Sequence, residues 1–176
     1  MIQDNHPEFI IIHHSASPDN PRGNDYKGIC KYHTSYRYKD EIIVPDIAKK
    51  LMGAGQKVEA PWEGPCGYHY VLEYVGGYVA IHKGRDELRH GAHCSEEKMN
   101  FKSIGICVVG NYDKQAPSDE IMRYLAELCA DICKRHNIPV ANIKPHREYA
   151  TYKTCPGAAF PMDSLIGNVA DNANTR

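Results

Sequence analysis

The sequence predicts an α/β fold: a single domain in which a mixed central β-sheet is flanked by α-helices. Two apolar runs rich in β-branched residues, FIIIHH (9–14) and SIGICVVG (103–110), have the length and composition of buried strands. A long amphipathic segment (117–139) follows the second run. Alternation of strands with helices is typical of a sheet covered by helices. The chain has 176 residues, which is enough to bury one core.

The remaining elements follow in chain order. The segment 26–37 places aromatic and apolar residues on one helical face and predicts the first helix. The region 37–66 is mostly loop, although DIAKKLM (46–52) suits one or two helical turns. Two alternating runs within 68–84 are joined by Gly76-Gly77, which predicts a hairpin with a type I′ turn.

The C-terminal third begins with the best-defined helix. Ser118 is placed to cap the 117–139 segment, and Lys134 and Arg135 suit its last turn. FPMDSLIGNV (160–169) predicts a last short helix, and the final residues indicate a frayed end. We therefore expect residues 1–165 to form the domain and residues 166–176 a C-terminal tail.

Composition excludes some classes of function. The formal net charge of −1 does not favour a nucleic-acid partner. No stretch approaches the roughly 20 apolar residues that span a bilayer, and MIQDNHPEF (1–9) lacks the pattern of a signal peptide. Seven unpatterned cysteines suggest reduced thiols rather than a disulfide framework. Twelve tyrosines suit either amphipathic core edges or a groove that stacks against sugars or peptides.

Several histidines and cysteines have the chemistry of zinc ligands. A catalytic zinc keeps three protein ligands and one open position. In HREYATYKTCPG (146–157), His146 and Cys155 are near enough in sequence to bind one ion, although a surface histidine and an unrelated buried cysteine fit as well. Side chains alternate along a strand, so only one of His13 and His14 can face that ion. Either histidine would complete a three-ligand set.

Spacing alone does not choose among the candidates. HGAHC (90–94) contains His90, His93 and Cys94, and Cys66 with His69 forms another local pair. An open zinc site favours hydrolysis, which also needs a donor for the developing oxyanion. Lys153 is such a donor or, alternatively, a solvated loop lysine.

Four motifs in order resemble one family. IIIHHSAS, GYHYVLEYVGGYVAIHKGRDELRHGAHC, NFKSIGICVVGNY and HREYATYKTCPG resemble the zinc-dependent N-acetylmuramoyl-L-alanine amidases of amidase type 2. That group includes the amidase-type phage lysozymes and the peptidoglycan recognition proteins. The resemblance extends from about residue 9 to 160 and implies the fold of those proteins.

The resemblance implies roles for particular residues. It implies one Zn²⁺ per chain, bound by His13, His146 and Cys155, with Tyr68 and Lys153 as catalytic side chains. We further expect four residues to contact substrate and one to hold a ligand histidine; the substrate contacts are His14, His69, Trp62 and His93, and the supporting residue is Glu148. The region 37–66 is longer than in compact phage enzymes and is expected to form a rim of the cleft.

The implied activity is hydrolysis of the amide between N-acetylmuramic acid and L-alanine in peptidoglycan, as in a phage-type endolysin or a bacterial lytic amidase. A non-catalytic peptidoglycan-binding module is the alternative, but such receptors typically lack the cysteine. A structural-zinc or thiol-redox protein is disfavoured because the chain has no C-x-x-C pair. We expect a monomer that is made in the cytoplasm and acts on the cell wall after release or secretion.

Overall fold

The computed structural model describes residues 4–18 and 25–174. Its strands are β1 (Phe9–His14), β2 (Tyr36–Tyr38), β3 (Glu41–Ile43), β4 (Tyr70–Val75), β5 (Tyr78–Lys83), β6 (Ser103–Val108) and β7 (Ile143–Pro145). Its α-helices are α1 (Asp25–His33), α2 (Pro45–Gly53), α3 (Asp119–His136) and α4 (Met162–Asn174). The main sheet has the order β5-β4-β6-β1-β7, with β5 antiparallel to β4 and the other pairs parallel. The predicted α/β class with a mixed sheet is confirmed.

Strand β1 lies inside this sheet, between β6 and β7. Ile10, Ile11 and Ile12 are fully buried, which explains the continuous apolar run, since both faces of a central strand are covered. In the parallel register, Ile12 is opposite Pro145 of β7. The next residues along these strands are His13 and His146, so both histidines emerge at the same edge of the sheet.

The last two helices pack on each other and on the sheet. Helix α3 begins where the Ser118 hydroxyl accepts a hydrogen bond from the backbone N–H of Ile121 (3.3 Å), as predicted. Helix α4 continues to Asn174, and its residues Leu165 and Val169 are fully buried in the main core. The expected tail over 166–176 is therefore wrong for the described residues, and the domain extends beyond residue 165.

The first half of the region between α1 and β4 forms a small hairpin and a helix, whereas the stretch from residue 54 to 69 is mostly loop, as predicted. Helix α1 ends at His33 and not at residue 37, because Tyr36–Tyr38 turns into β2 and pairs with β3. Helix α2 follows with Pro45 in its first turn, where the missing N–H of proline costs nothing. The helical turns predicted at 46–52 are thus confirmed as part of α2.

A buried arginine fixes this region to the rest of the domain. Arg37 is 1% exposed, and its guanidinium donates hydrogen bonds to the carbonyl oxygens of Tyr32 (2.6 Å) and His33 (3.1 Å). It also forms an ion pair with Glu59 at 3.0 Å. The guanidinium carbon lies 4.8 Å from the centre of the Trp62 ring. Arg37 therefore holds Trp62 against the domain.

The glycine pair between β4 and β5 forms the predicted tight turn. Gly76 and Gly77 have φ values of 58° and 91°, and a type I′ turn needs positive φ at both central positions. The pairing of Val75 with Tyr78 places the turn at the end of the hairpin.

Two further observations concern membrane spans and cysteines. None of the described helices is both long enough and apolar enough to cross a bilayer. The seven cysteines are free in the structure.

Candidate metal centre and active site

Three zinc-type donors converge at the edge of the sheet where β1 and β7 end. The Cys155 sulfur lies 3.7 Å from Nδ1 of His13. One ligand atom from each of His13, His146 and Cys155 lies within 4.8 Å of the other two, and all three residues are buried. The structure thus brings together the three residues predicted as metal ligands.

The segment after β7 folds back so that His146 and Cys155 face the same point. The Arg147 N–H donates to the Cys155 carbonyl oxygen (2.8 Å), and the His14 N–H donates to the Cys155 sulfur (3.4 Å). Gly157 then passes close to Tyr112 with φ of 116°; a Cβ at this position would lie 2.3 Å from the Tyr112 carbonyl carbon. Glycine is therefore needed two residues after the cysteine.

His93 sets the orientation of His13. Nδ1 of His93 lies 3.1 Å from Nε2 of His13, which directs the opposite nitrogen, Nδ1, towards Cys155. The His93 ring occupies space that glycines leave open, because a Cβ on Gly91 or Gly105 would lie 2.4 Å from it. A buried partner of this kind fixes the tautomer of a metal-binding histidine.

The electrostatics of the three residues suit metal binding. Burial lowers the pKa of His13 well below its ordinary value, and the nearby His93 and His146 lower it further. Burial, assisted by Lys153, lowers the pKa of His146 to about 4, so both imidazoles are neutral and have a free electron pair. Burial raises the pKa of the Cys155 thiol to about 11, so metal binding there must release its proton.

The chemistry of this donor set fits zinc. Two imidazole nitrogens and one sulfur are common zinc ligands, and a set of three leaves a fourth position open. The three residues line a cavity of about 450 Å³, which leaves room for a ligand beside them.

Both predicted catalytic side chains line the same cavity. The Tyr68 ring centre lies 5.1 Å from that of His13. Burial, together with the neighbouring Cys107 and Cys155, raises the pKa of Tyr68 well above its usual value, so its hydroxyl remains a hydrogen-bond donor. Lys153 lies on the loop just before Cys155 and is exposed at the mouth of the cavity.

Three of the four predicted substrate contacts also line the cavity, namely His14, Trp62 and His93. The Trp62 ring packs against His33 in a tilted arrangement, with ring centres 4.4 Å apart, and the rim role expected for the region 37–66 stays a prediction. Nδ1 of His14 accepts a hydrogen bond from the Tyr112 N–H (3.3 Å). Substrate contact by these residues stays a prediction.

Two predicted site residues lie elsewhere. His69 is fully buried; its Nδ1 accepts from the Gly105 N–H (2.9 Å) and its Nε2 pairs with the Arg89 carbonyl oxygen (3.0 Å). Because both ring nitrogens are used, His69 supports the sheet and the prediction of substrate contact is wrong. Glu148 forms an ion pair with Lys144 (3.1 Å). Among the described residues it has no hydrogen bond or ion pair with a candidate ligand, so His93, rather than Glu148, supports a ligand histidine.

The other histidines and cysteines considered as zinc ligands have different surroundings. His90 pairs with Asp4 at 2.7 Å, and the Cys66 sulfur lies 3.6 Å from Nδ1 of His33. Neither His90 nor Cys66 belongs to a cluster of three donors within the part of the chain that the structure describes. Cys94 does belong to one, together with Glu96 and His146.

Sequence reasoning missed three residues around the cavity. Asp113 accepts hydrogen bonds from the Thr154 hydroxyl and the Ala158 N–H, each at 2.9 Å, and so braces the loop that contains Cys155. Glu96 and Tyr152 form a hydrogen bond at 2.7 Å. Burial opposes ionisation of Glu96, yet hydrogen bonds from Tyr152, its own backbone and Cys94 lower its pKa to about 2. Of the three, only Tyr152 lies within one of the four motifs; Asp113 comes one residue after the third motif and Glu96 two residues after the second.

The sequence of this chain matches that of a known protein family. The sequence profile of the amidase type 2 family, described as N-acetylmuramoyl-L-alanine amidase, matches residues 3–158. The chain belongs to this amidase family. That range contains all three candidate ligands and both candidate catalytic residues.

Individual relatives agree with this placement. The chain is 30% identical over 95 residues to the endolysin of Escherichia phage T7 (51% of this chain, 58% of the endolysin). It is also 30% identical over 95 residues to peptidoglycan-recognition protein SD of Drosophila melanogaster (53% of this chain, 48% of that protein). The chain thus spans about half the length of these curated relatives.

Solved structures show the same fold. The N-acetylmuramoyl-L-alanine amidase LysC from Clostridium intestinale has a TM-score of 0.64 at 20% identity, over 96% of this chain and 89% of LysC. At this level of identity the likeness establishes the fold, which is the amidase and peptidoglycan-recognition-protein fold predicted from the motifs.

Proposed function

We propose that this protein is a zinc-dependent amidase that hydrolyses the amide between N-acetylmuramic acid and L-alanine in peptidoglycan. The observation that carries the proposal is the combination of His13, His146 and Cys155 in one cluster with Tyr68 and Lys153 on the same cavity. Such a combination supplies both a metal site and donors for the oxyanion of amide hydrolysis.

The residues of the cluster have distinct roles in this scheme. His13, His146 and Cys155 would bind one Zn²⁺, which when bound lowers the pKa of a water molecule and polarises the substrate carbonyl. His93 keeps Nδ1 of His13 directed at the metal position. Tyr68 and Lys153 place an O–H donor and an ammonium group at the cavity, where they orient the nucleophile and stabilise the negative charge on the carbonyl oxygen.

The rim of the cavity has the chemistry of a glycan and peptide site. Trp62 is an aromatic side chain fixed by His33 and Arg37, and Tyr152 is 74% exposed near the mouth. Aromatic rings with one apolar face and a polar edge suit the stacking of sugar rings. We propose that these residues contact the glycan, with His14 and His93 deeper in the cavity.

A catalytic role is favoured over a binding role by the cysteine. A module that only binds peptidoglycan has no need for a third zinc ligand, whereas this chain has Cys155, with its sulfur 3.7 Å from Nδ1 of His13. We further propose that the protein acts as a monomer on the cell wall after release or secretion, as an endolysin or a bacterial lytic amidase.

Digestion of purified peptidoglycan tests the proposal. Mass spectrometry of the products should show free stem peptides with new L-alanine amino termini, lost with a chelator and restored by zinc. Intact peptidoglycan that binds the protein without being cleaved would instead indicate a binding module.

Two substitutions separate metal binding from the later steps. Cys155→Ala should remove zinc and activity together, because a set of two histidines holds zinc weakly. Lys153→Ala should keep one zinc per chain and lose most turnover. A zinc-free Cys155→Ala protein with full activity would rule out the mechanism.

A further inference from the structure

A carboxylate that the motifs do not identify lies beside a candidate metal ligand. Oε2 of Glu96 is 4.0 Å from Nε2 of His146. The other oxygen, Oε1, accepts a hydrogen bond from the Tyr152 hydroxyl at 2.7 Å. Oε2 also accepts from the Cys94 sulfur at 3.5 Å and from the Ser95 hydroxyl at 3.4 Å. Glu96 is thus held from both oxygens next to His146.

The backbone that presents Glu96 is strained. Glu97 and Lys98 follow it with φ values of 49° and 60°, in the left-handed region that residues other than glycine rarely adopt. The segment keeps this shape because Oδ1 of Asn100 accepts from the N–H groups of His93 (2.8 Å) and Cys94 (2.9 Å). Strained backbone of this kind persists where the surroundings impose it, and it concentrates at functional sites.

The hydrogen bond between Glu96 and Tyr152 connects Glu96 to the loop between His146 and Cys155. Tyr152 lies between His146 and Cys155 in the chain and directly precedes Lys153, whose Nζ is 5.6 Å from the centre of the Tyr152 ring. Because Tyr152 is 74% exposed, packing contributes little to holding it, and its hydroxyl bond to Glu96 connects the loop to the segment that follows Cys94.

We propose that Glu96 is a positioning residue that acts on His146 through the negative charge of its carboxylate, 4.0 Å away, and on the Lys153 loop through its hydrogen bond with Tyr152. The inference rests on the proposed amidase function, because it assigns Glu96 to the support of the same metal site. A carboxylate beside a metal-binding imidazole orients the ring and makes it a stronger ligand, and loss of such a partner costs 10–100-fold in metal affinity or activity.

The principal test compares Glu96→Gln with Glu97→Gln in the full chain. Glutamine keeps the size of the side chain and still accepts from Tyr152, so Glu96→Gln removes mainly the charge next to His146. Glu97 is the exposed neighbour on the same strained turn, so Glu97→Gln is a matched control for the loss of one carboxylate. We would measure zinc affinity by competition with a chelator, the number of zinc ions bound, and the visible absorption of the Co²⁺-substituted protein.

The expected result is a zinc affinity about 10–100-fold lower in Glu96→Gln, with an altered Co²⁺ spectrum, while Glu97→Gln matches the wild type. In the same preparations, Tyr152→Phe should bind zinc like the wild type and show a lower kcat, on the order of tenfold, at nearly constant KM. A purely structural role for Glu96 would not change the Co²⁺ spectrum of a folded protein.

Other outcomes overturn the inference in distinguishable ways. If the wild type binds zinc and cleaves peptidoglycan but Glu96→Gln behaves like Glu97→Gln, then the inference is wrong and the proposed function stands. If the wild type binds no zinc, both fail. If Glu96→Gln removes a second equivalent of zinc, then Glu96 is a direct ligand with Cys94 and His146, and the positioning role is wrong.

Discussion

The contact between His93 and His13 leads to a prediction for metal affinity. Nδ1 of His93 lies 3.1 Å from Nε2 of His13, and His13 is 1% exposed. Replacing His93 with alanine leaves the buried His13 donor without a partner, which costs about 1–3 kcal/mol. That cost is a loss of folding stability; separately, loss of a supporting partner weakens metal binding about 10–100-fold, equivalent to about 1.4–2.8 kcal/mol of binding free energy.

The assay is zinc competition with a chromophoric chelator at pH 7.5, a pH chosen (roughly one unit above the ordinary histidine pKa) so that unpaired imidazoles are neutral. We expect His93→Ala to bind zinc about 10–100-fold more weakly and His93→Gln to recover part of the loss, since its amide oxygen can accept from His13. His90→Ala serves as control, because His90 lies in the same motif but pairs with Asp4. Equal zinc affinity in His93→Ala and His90→Ala would refute the argument.

Three further predictions concern stability. Arg37→Met should lower the free energy of unfolding, measured in urea, by about 1–3 kcal/mol for each carbonyl left unpaired. Glu59→Gln should lower it by under about 1 kcal/mol, because that carboxylate is 56% exposed. Equal losses in the two variants would contradict the role given to Arg37. Gly157→Ala should lower the free energy of unfolding and weaken zinc binding, because its Cβ would overlap the Tyr112 backbone. Gly167→Ala in α4 meets no atoms and should raise the free energy of unfolding by about 0.5–1 kcal/mol. Urea denaturation measures both variants, and an unchanged stability in Gly157→Ala would contradict the prediction. Burial lowers the pKa of His69 to about 4, below its value in the unfolded chain, so the unfolded state gains its proton first as pH falls. The stabilisation is fully present above about pH 6.5 and is lost as the pH falls towards 4, by about 2 kcal/mol at pH 5. Glutamine does not titrate, so the free energy of unfolding of His69→Gln should change less between pH 7 and pH 5, by that amount, in urea titrations.

The strands and the long helix could be predicted from sequence because their signals are local. FIIIHH and SIGICVVG are continuous apolar runs, and Gly76-Gly77 meets a strict conformational requirement of its turn. The region 37–66 could not be predicted in the same way. Its hairpin has strands of three residues and depends on Arg37, whose partners lie in the preceding turn and at Glu59.

The residues of the candidate site also differ in how far the sequence could identify them. Resemblance to the family identified His13, His146 and Cys155, and the structure brings them together. The supporting residues could not be assigned, because support depends on approach in three dimensions. His69 has the residue type of a site histidine, yet both of its ring nitrogens form hydrogen bonds with backbone groups. Glu148 is two residues from His146 in sequence, yet its carboxylate forms an ion pair with Lys144.

The position of the three donors along the chain has a consequence for the whole fold. His13 belongs to the first strand, and Cys155 follows it by 142 residues. An ion bound by both would act as a cross-link between the two ends of the domain, which the unfolded chain cannot form. A ligand that binds only the folded state at 1,000 times its dissociation constant stabilises it by about 4.1 kcal/mol. The melting temperature of this protein would therefore report how fully its metal site is loaded.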